Sequence, residues 1–135
     1  MPAGGILLEI PAGTLDVDET GVTEDPDLAA RRELEEETGY RAGSWQHLAS
    51  FWTAPGFATE LMHLYLATDL RPADADRLGP DEDEHLRLER LPWPDAVEAA
   101  LRGDIRDAKS LVGLLWLDRL RRLDAGDRAG RERGA

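Results

Sequence analysis

The amino-acid sequence predicts a single α/β domain of modest size. The chain has 135 residues, which is enough for one hydrophobic core but leaves no room for a second full domain. Short apolar runs typical of strands alternate along it with segments whose apolar residues recur at helical spacing. We therefore expect strands and helices to share one core.

Local turn and capping signals define the predicted elements. The apolar run Ile6–Ile10 ends at Pro11-Ala12-Gly13, which predicts a strand followed by a turn. Asp25-Pro26 is typical of a helix start and Gly39 of a helix end, so a helix is expected over 26–38. Further strands are predicted over 47–53, 59–70 and 86–91, and further helices over 94–102 and 107–123. We expect the domain to span residues 1–123, and the Arg- and Gly-rich residues 124–135 to fray.

Composition excludes several classes of protein. The 28 acidic and 16 basic residues give a net charge of −12, which repels phosphate backbones and argues against a nucleic-acid binder. No apolar run approaches the roughly 20 residues of a membrane span. The sequence has no cysteine, so disulfides and thiolate chemistry are excluded. The first residues do not follow the pattern of a signal peptide, and we expect a cytoplasmic location.

Three glutamates crowd one face near the end of the first predicted helix. At helical spacing Glu33, Glu36 and Glu37 fall within about 100° of arc. Glu33 and Glu37 repel each other, and the negative end of the helix disfavours each carboxylate by roughly 0.3–1 kcal/mol. A solvated acidic face is the plainer interpretation. A divalent cation such as Mg²⁺ would compensate these charges, because it prefers hard oxygen ligands.

The same segment carries a longer motif. Residues 32–40 match the pattern Arg-Glu-apolar-x-Glu-Glu-x-Gly-apolar, and Gly13 to Glu19 supplies an opening Gly-x5-Glu. The chain therefore resembles the Nudix hydrolase family at its defining motif. Twelve residues separate Glu19 from Arg32 where the motif has seven, so five extra residues precede the helix. Either Glu19 or Glu24 takes the place of the first glutamate of the motif.

Other segments resemble one branch of that family, the ADP-ribose and nucleoside-diphosphate-sugar pyrophosphatases. They are Glu9–Gly13, Pro55 at sixteen residues beyond Gly39, and Asp104–Ser110. The resemblance implies a Nudix α/β/α sandwich with a mixed sheet, a homodimer, and hydrolysis of the pyrophosphate bond of ADP-ribose or a similar nucleoside diphosphate-sugar with Mg²⁺ or Mn²⁺. The products would be AMP and a sugar phosphate. The β-rich segment that begins the relatives has no counterpart here, so we expect the usual N-terminal strands to be lacking, with weak activity and self-association.

The resemblance also implies roles for individual residues. The metal ligands would be the carboxylates of Glu33, Glu36 and Glu37 and the carbonyl of Ala12, with Glu36 also among the catalytic residues. A general base must come from a separate element, because ligand carboxylates are occupied; Glu84 is the first choice and Glu82 the alternative. The expected substrate-binding residues are Pro55, Gly56 and Phe57, together with Arg32, which would orient Glu36.

Several alternatives stay open. The enzyme could act on another Nudix substrate such as a dinucleoside polyphosphate, or the chain could be a non-catalytic module that binds a nucleotide or a partner. Asp16, Asp18 and Thr20 follow part of the spacing of an EF-hand calcium loop but without its final glutamate, which favours a plain acidic loop. His47 and His63 are expected to be structural, whereas His85 lies next to the acidic residues 81–84.

Overall fold

The computed structural model describes residues 7–57, 59–73 and 87–134. Within these ranges the elements are α1 (Pro26–Thr38), β1 (Tyr40–Trp52), β2 (Leu61–Pro72), α2 (Trp93–Leu101) and α3 (Ala108–Arg133). They fall into two compact units: one is Pro11–Glu89, and the other combines Met1–Ile10 with Arg90–Ala135. No helix in the described ranges is long and apolar enough to cross a membrane.

Helix α1 has the boundaries that the sequence predicts. The Asp25 carboxylate accepts a hydrogen bond from the Asp27 N–H at 2.8 Å, and Pro26 occupies the first turn. At the other end Gly39 has φ 74°, and its N–H donates to the Glu35 carbonyl at 2.9 Å. This left-handed glycine cap satisfies a carbonyl that the helix leaves open. The prediction of this helix is confirmed.

Strands β1 and β2 form an antiparallel pair on which α1 packs. Their register runs from Tyr40 opposite Pro72 to Trp52 opposite Leu61. On the side facing α1 the Arg31 guanidinium lies 5.2 Å from the centre of the Trp45 ring. Strand β1 begins seven residues earlier than predicted. Residues 40–46 are of mixed polarity and show no clear alternation, yet they pair along the far end of β2.

The other unit is centred on α2 and α3. Its core is formed by small and branched side chains, namely Ala96, Val97, Ala99, Ile105 and Leu114. Ser110 is only 1% exposed. Its hydroxyl donates to the Asp107 carboxylate at 2.6 Å and accepts the Ile10 N–H at 2.9 Å. The Lys109 ammonium adds an ion pair to Glu9 at 3.0 Å, so residues near the start of the chain are held by side chains of α3.

Three sequence-based expectations differ from the structure. Among the described residues, 7–10 and 87–91 are not in strands, and both strand predictions are wrong there, because an apolar run becomes a strand only where a backbone partner lies beside it. The last helix is also longer than predicted, because α3 continues to Arg133 instead of ending at residue 123. Intrahelical ion pairs such as Arg122 to Asp118 at 3.0 Å support this exposed extension.

We expect Gly39→Ala to lower the free energy of unfolding by about 1 kcal/mol or more, because a side chain is strained at positive φ. Gly126→Ala is the matched control: this glycine lies inside α3 with no neighbouring atom within 4 Å of an added Cβ, and the change should stabilise by roughly 0.5–1 kcal/mol. Chemical denaturation of both variants measures the difference. Equal effects of the two substitutions would contradict the cap assignment.

Candidate active site

The guanidinium of Arg32 lies at the centre of a cluster of carboxylates. Its Nη1 donates to Glu33 Oε1 at 2.9 Å and to Glu36 Oε2 at 3.1 Å. Its Nε and Nη2 donate to the two oxygens of Glu24 at 3.1 and 3.0 Å. One planar cation therefore contacts three carboxylates at once, and its fork geometry suits the paired contact with Glu24. The expected contact between Arg32 and Glu36 is present.

The chain that precedes the helix lies directly against this glutamate face. The Ala12 N–H donates to Glu37 Oε2 at 2.9 Å, and the Thr14 carbonyl accepts from Arg32 Nη2 at 3.2 Å. Between them, a Cβ added to Gly13 would lie 1.9 Å from Glu33 Cδ. Only glycine permits so close an approach. The backbone of residues 12–14 is thereby positioned beside Glu33 and Glu37.

The five extra residues of the motif form part of a small hairpin. The Glu24 N–H donates to the Asp16 carbonyl at 2.7 Å, and Val17 pairs with Thr23 in an antiparallel bridge. At the tip the Asp18 carboxylate accepts from the Thr20 N–H and hydroxyl and from the Val22 N–H, at 2.6 to 2.9 Å. Asp18, which would be the second ligand of a calcium loop's series, thus fastens the turn instead.

Glu24 is a site residue that the sequence left unresolved against Glu19. Hydrogen bonds from Arg32 hold the pKa of the Glu24 carboxyl below its ordinary value. The same hydrogen bonds, with the charge of Glu33, raise the pKa of Arg32 above its ordinary range. Seven residues separate Glu24 from Arg32, which is the gap that the motif requires. Measuring that gap from Glu24 would have found the pair.

The remaining candidate residues lie on other elements. Pro55, Gly56 and Phe57 form the turn between β1 and β2, where the Phe57 N–H donates to the Ala54 carbonyl at 2.9 Å. The Phe57 side chain is 96% exposed. Glu82 and Glu84 lie outside the described residues, so their predicted role as general base stays a prediction.

The donor set suits a divalent cation in chemistry, although its side chains have other partners. Glu33 and Glu36 contact Arg32, and Glu37 contacts the loop backbone. Across the ranges that the structure describes, no three His, Cys, Asp or Glu side chains are already disposed around one point as a metal site. The site nevertheless offers carboxylate oxygens, with the backbone at Gly13 close beside them. Such hard oxygen ligands are the ones that Mg²⁺ and Mn²⁺ prefer.

The chain is similar in sequence to several bacterial proteins over more than four fifths of its length. A methanol dehydrogenase activator from Bacillus methanolicus is 42% identical over 111 residues, covering 82% of this chain and 57% of that protein. An ADP-ribose pyrophosphatase from Bacillus subtilis is 38% identical over 116 residues, with coverages of 86% and 60%. A GDP-mannose pyrophosphatase from Cronobacter sakazakii is 38% identical over 113 residues, with coverages of 84% and 56%. The chain therefore spans between 56% and 60% of the length of these three relatives.

A solved structure and a family model also match this chain. The crystal structure of an ADP compounds hydrolase matches with a TM-score of 0.62 and 30% sequence identity, covering 72% of this chain and 51% of that one. The similarity confirms an α/β fold of the Nudix type, of which the described residues contain three helices and one antiparallel strand pair. The family model described as NUDIX domain matches residues 1–112. The chain belongs to the Nudix family.

Proposed function

We propose that the protein hydrolyses the pyrophosphate bond of a nucleoside diphosphate-sugar, with ADP-ribose as the first candidate and AMP and ribose 5-phosphate as its products. The observation that carries the proposal is the glutamate face of α1, with the backbone of residues 12–14 held against it. The names of two of the relatives, ADP-ribose pyrophosphatase and GDP-mannose pyrophosphatase, support this class of substrate.

Mg²⁺, or Mn²⁺ in its place, is the cofactor in this proposal. Glu33, Glu36, Glu37 and the carbonyl of Ala12 would hold it. Such an ion supplies charge compensation for the phosphate oxygens and lowers the pKa of a bound water. The protein's own contribution is to place these oxygens together in one unit and to keep Arg32 beside them as a fixed cation. Arg32 would orient Glu36 toward such an ion.

The other roles complete the proposal. Glu24, paired with Arg32 through both oxygens, takes the place of the first glutamate of the motif. Glu84, with Glu82 as the alternative, would be the general base, and Glu36 would act with the ion. Pro55, Gly56 and Phe57 would contact the substrate; the exposed Phe57 ring offers a flat apolar surface to a base or a ribose. The cytoplasm as location and a homodimer as assembly are further parts of the proposal.

A second candidate function has a specific observation in its favour. One relative is named a methanol dehydrogenase activator, and that name describes an action on a partner enzyme. A Nudix module that binds a nucleotide or a protein partner without turnover would keep the same fold. Hydrolysis assays of ADP-ribose, GDP-mannose and dinucleoside polyphosphates, with and without Mg²⁺, separate the two candidates. Absence of turnover on all of them would favour the binding module.

We expect Glu37→Gln to lower turnover of ADP-ribose by orders of magnitude at saturating Mg²⁺, because an amide replaces a charged ligand while its oxygen can still accept the Ala12 N–H. Circular dichroism should show an unchanged fold. Glu132→Gln, the same chemical change at an exposed position near the end of α3, is the control and should keep the wild-type rate. A wild-type rate for Glu37→Gln would overturn the ligand assignment.

The paired Glu24 should make stability depend on pH in the acidic range. Because its pKa is lowered in the folded state, its contribution is fully present above the ordinary value of 4.5 and is lost as the pH falls through the folded value. Glu24→Gln should therefore be less stable than the wild type at pH 7, and the two should converge in more acidic solution. Urea denaturation across this range measures it. Glu19→Gln, in the exposed turn of the same hairpin, should change little; an equal effect would contradict the Glu24 assignment.

A further inference from the structure

Two histidines and a serine form a polar cluster on the strand pair. Ser50 Oγ lies 2.9 Å from His47 Nε2 and 2.9 Å from His63 Nδ1. His47 and Ser50 are exposed and His63 is half-buried. The two imidazole rings have their centres 6.5 Å apart. Two ring nitrogens from neighbouring strands thus point toward one position that solvent can reach.

A β-bulge creates this arrangement. His47 and Ser50 are three residues apart on β1, and in a regular strand that spacing places two side chains on opposite faces. The pairing of β1 with β2 is irregular between His47 and Ala49, so that His47 stands opposite Tyr65 and Ser50 stands opposite His63. The extra residue reverses the alternation and brings both histidines and the serine to one face. Bulges of this kind re-aim side chains and occur often beside functional sites.

The ring of His47 is held in place by its neighbour. The Tyr65 ring meets it edge to face, with centres 5.3 Å apart and planes at 70°. Tyr65 in turn meets Trp45 at 6.3 Å, which ties it to the part of the sheet covered by Arg31 of α1. One of the two nitrogen donors is therefore oriented before any ligand arrives, which reduces the ordering that binding requires.

The hydrogen bonds of the cluster contribute little to the stability of the fold. A serine hydroxyl has one proton, so it donates to one ring and accepts from the other. Because the cluster is exposed, each such contact replaces a hydrogen bond to water and adds little to the free energy of unfolding. What the arrangement does provide is a pair of imidazole nitrogens directed at one point. Neutral imidazole is a preferred ligand of Zn²⁺, Cu²⁺ and Ni²⁺ and a poor ligand of Mg²⁺.

We propose that His47 and His63 form a second metal site, one that binds a late transition ion of the Zn²⁺ class. A Zn–N bond measures about 2.0–2.1 Å, so a small adjustment of the two rings would replace the contacts to Ser50 Oγ by bonds to the ion. Within the described part of the chain no third His, Cys, Asp or Glu completes a larger set, and water fills the remaining positions. The acidic charge of the protein, −12, attracts such a cation. This site does not depend on the proposed hydrolase function.

The test uses the tag-free protein with Zn²⁺ as the probe in excess Mg²⁺, which competes at carboxylates but not at imidazoles. Zn²⁺ should raise the melting temperature and should shift the ¹⁵N resonances of His47 Nε2 and His63 Nδ1. Both effects should be lost in His47→Gln and in His63→Gln. Ser50→Ala, which keeps both rings and removes only the hydroxyl between them, should retain the Zn²⁺ effect.

The controls determine whether the two imidazoles are the ligands. His85→Gln removes the third histidine of the sequence and should leave the Zn²⁺ effect intact. Binding that survives in both His47→Gln and His63→Gln would overturn the proposal, because the ion would then be held elsewhere. Loss of binding in Ser50→Ala or in His85→Gln would overturn the assignment of the two rings as the protein ligands. The ¹⁵N resonances answer the question even for a variant whose melting is altered.

Discussion

The placement of one guanidinium among carboxylates is the interaction on which the rest of the site depends. Glu33, Glu36 and Glu37 stand near the negative end of α1, where like charges and the helix dipole both oppose them. Arg32 offsets this by contacting two of them and by reaching Glu24 and the Thr14 carbonyl. Because these contacts join the helix to the chain before it, charge compensation and the shape of the site come from the same side chain.

A metal ion arriving at this face would meet carboxylates that already have a cation beside them. Binding of such an ion would therefore be a sharing of partners, in which Glu33 and Glu36 contact both Arg32 and the ion. Such a site would lose less free energy when the ion leaves than a bare carboxylate cluster would, because Arg32 still compensates part of the negative charge. The two proposed metal sites also differ in ligand chemistry. Carboxylates select hard ions and imidazoles select softer ones, so one protein could hold both kinds without competition between them.

The parts of the structure that local signals control could be predicted from the sequence, and the parts that depend on distant partners could not. Both ends of helix α1 were predicted correctly, because Asp25, Pro26 and Gly39 start or end a helix through contacts with residues only a few positions away. The glutamate face followed from helical geometry. Other features depend on which backbone lies alongside the segment: the start of β1, the absence of strands at 7–10 and 87–91, and the alignment of His47 with Ser50. The alternation of side chains in one strand does not reveal a bulge in its pairing. The role of Glu24 could have been predicted, because its spacing from Arg32 can be counted in the sequence.

The hairpin between Asp16 and Glu24 has a consequence for how the loop can vary. Its base is closed by the Glu24 N–H on the Asp16 carbonyl, while its tip is fastened internally by Asp18. Arg32 contacts Glu24 and Asp16 at this base and the Thr14 carbonyl before it. Changes of length in the tip are thus insulated from the glutamate face, and loops of this kind tolerate insertion at low cost in free energy. The tip is accordingly a place where a foreign peptide, such as an epitope or a fluorophore-binding tag, could be grafted next to the site without entering it.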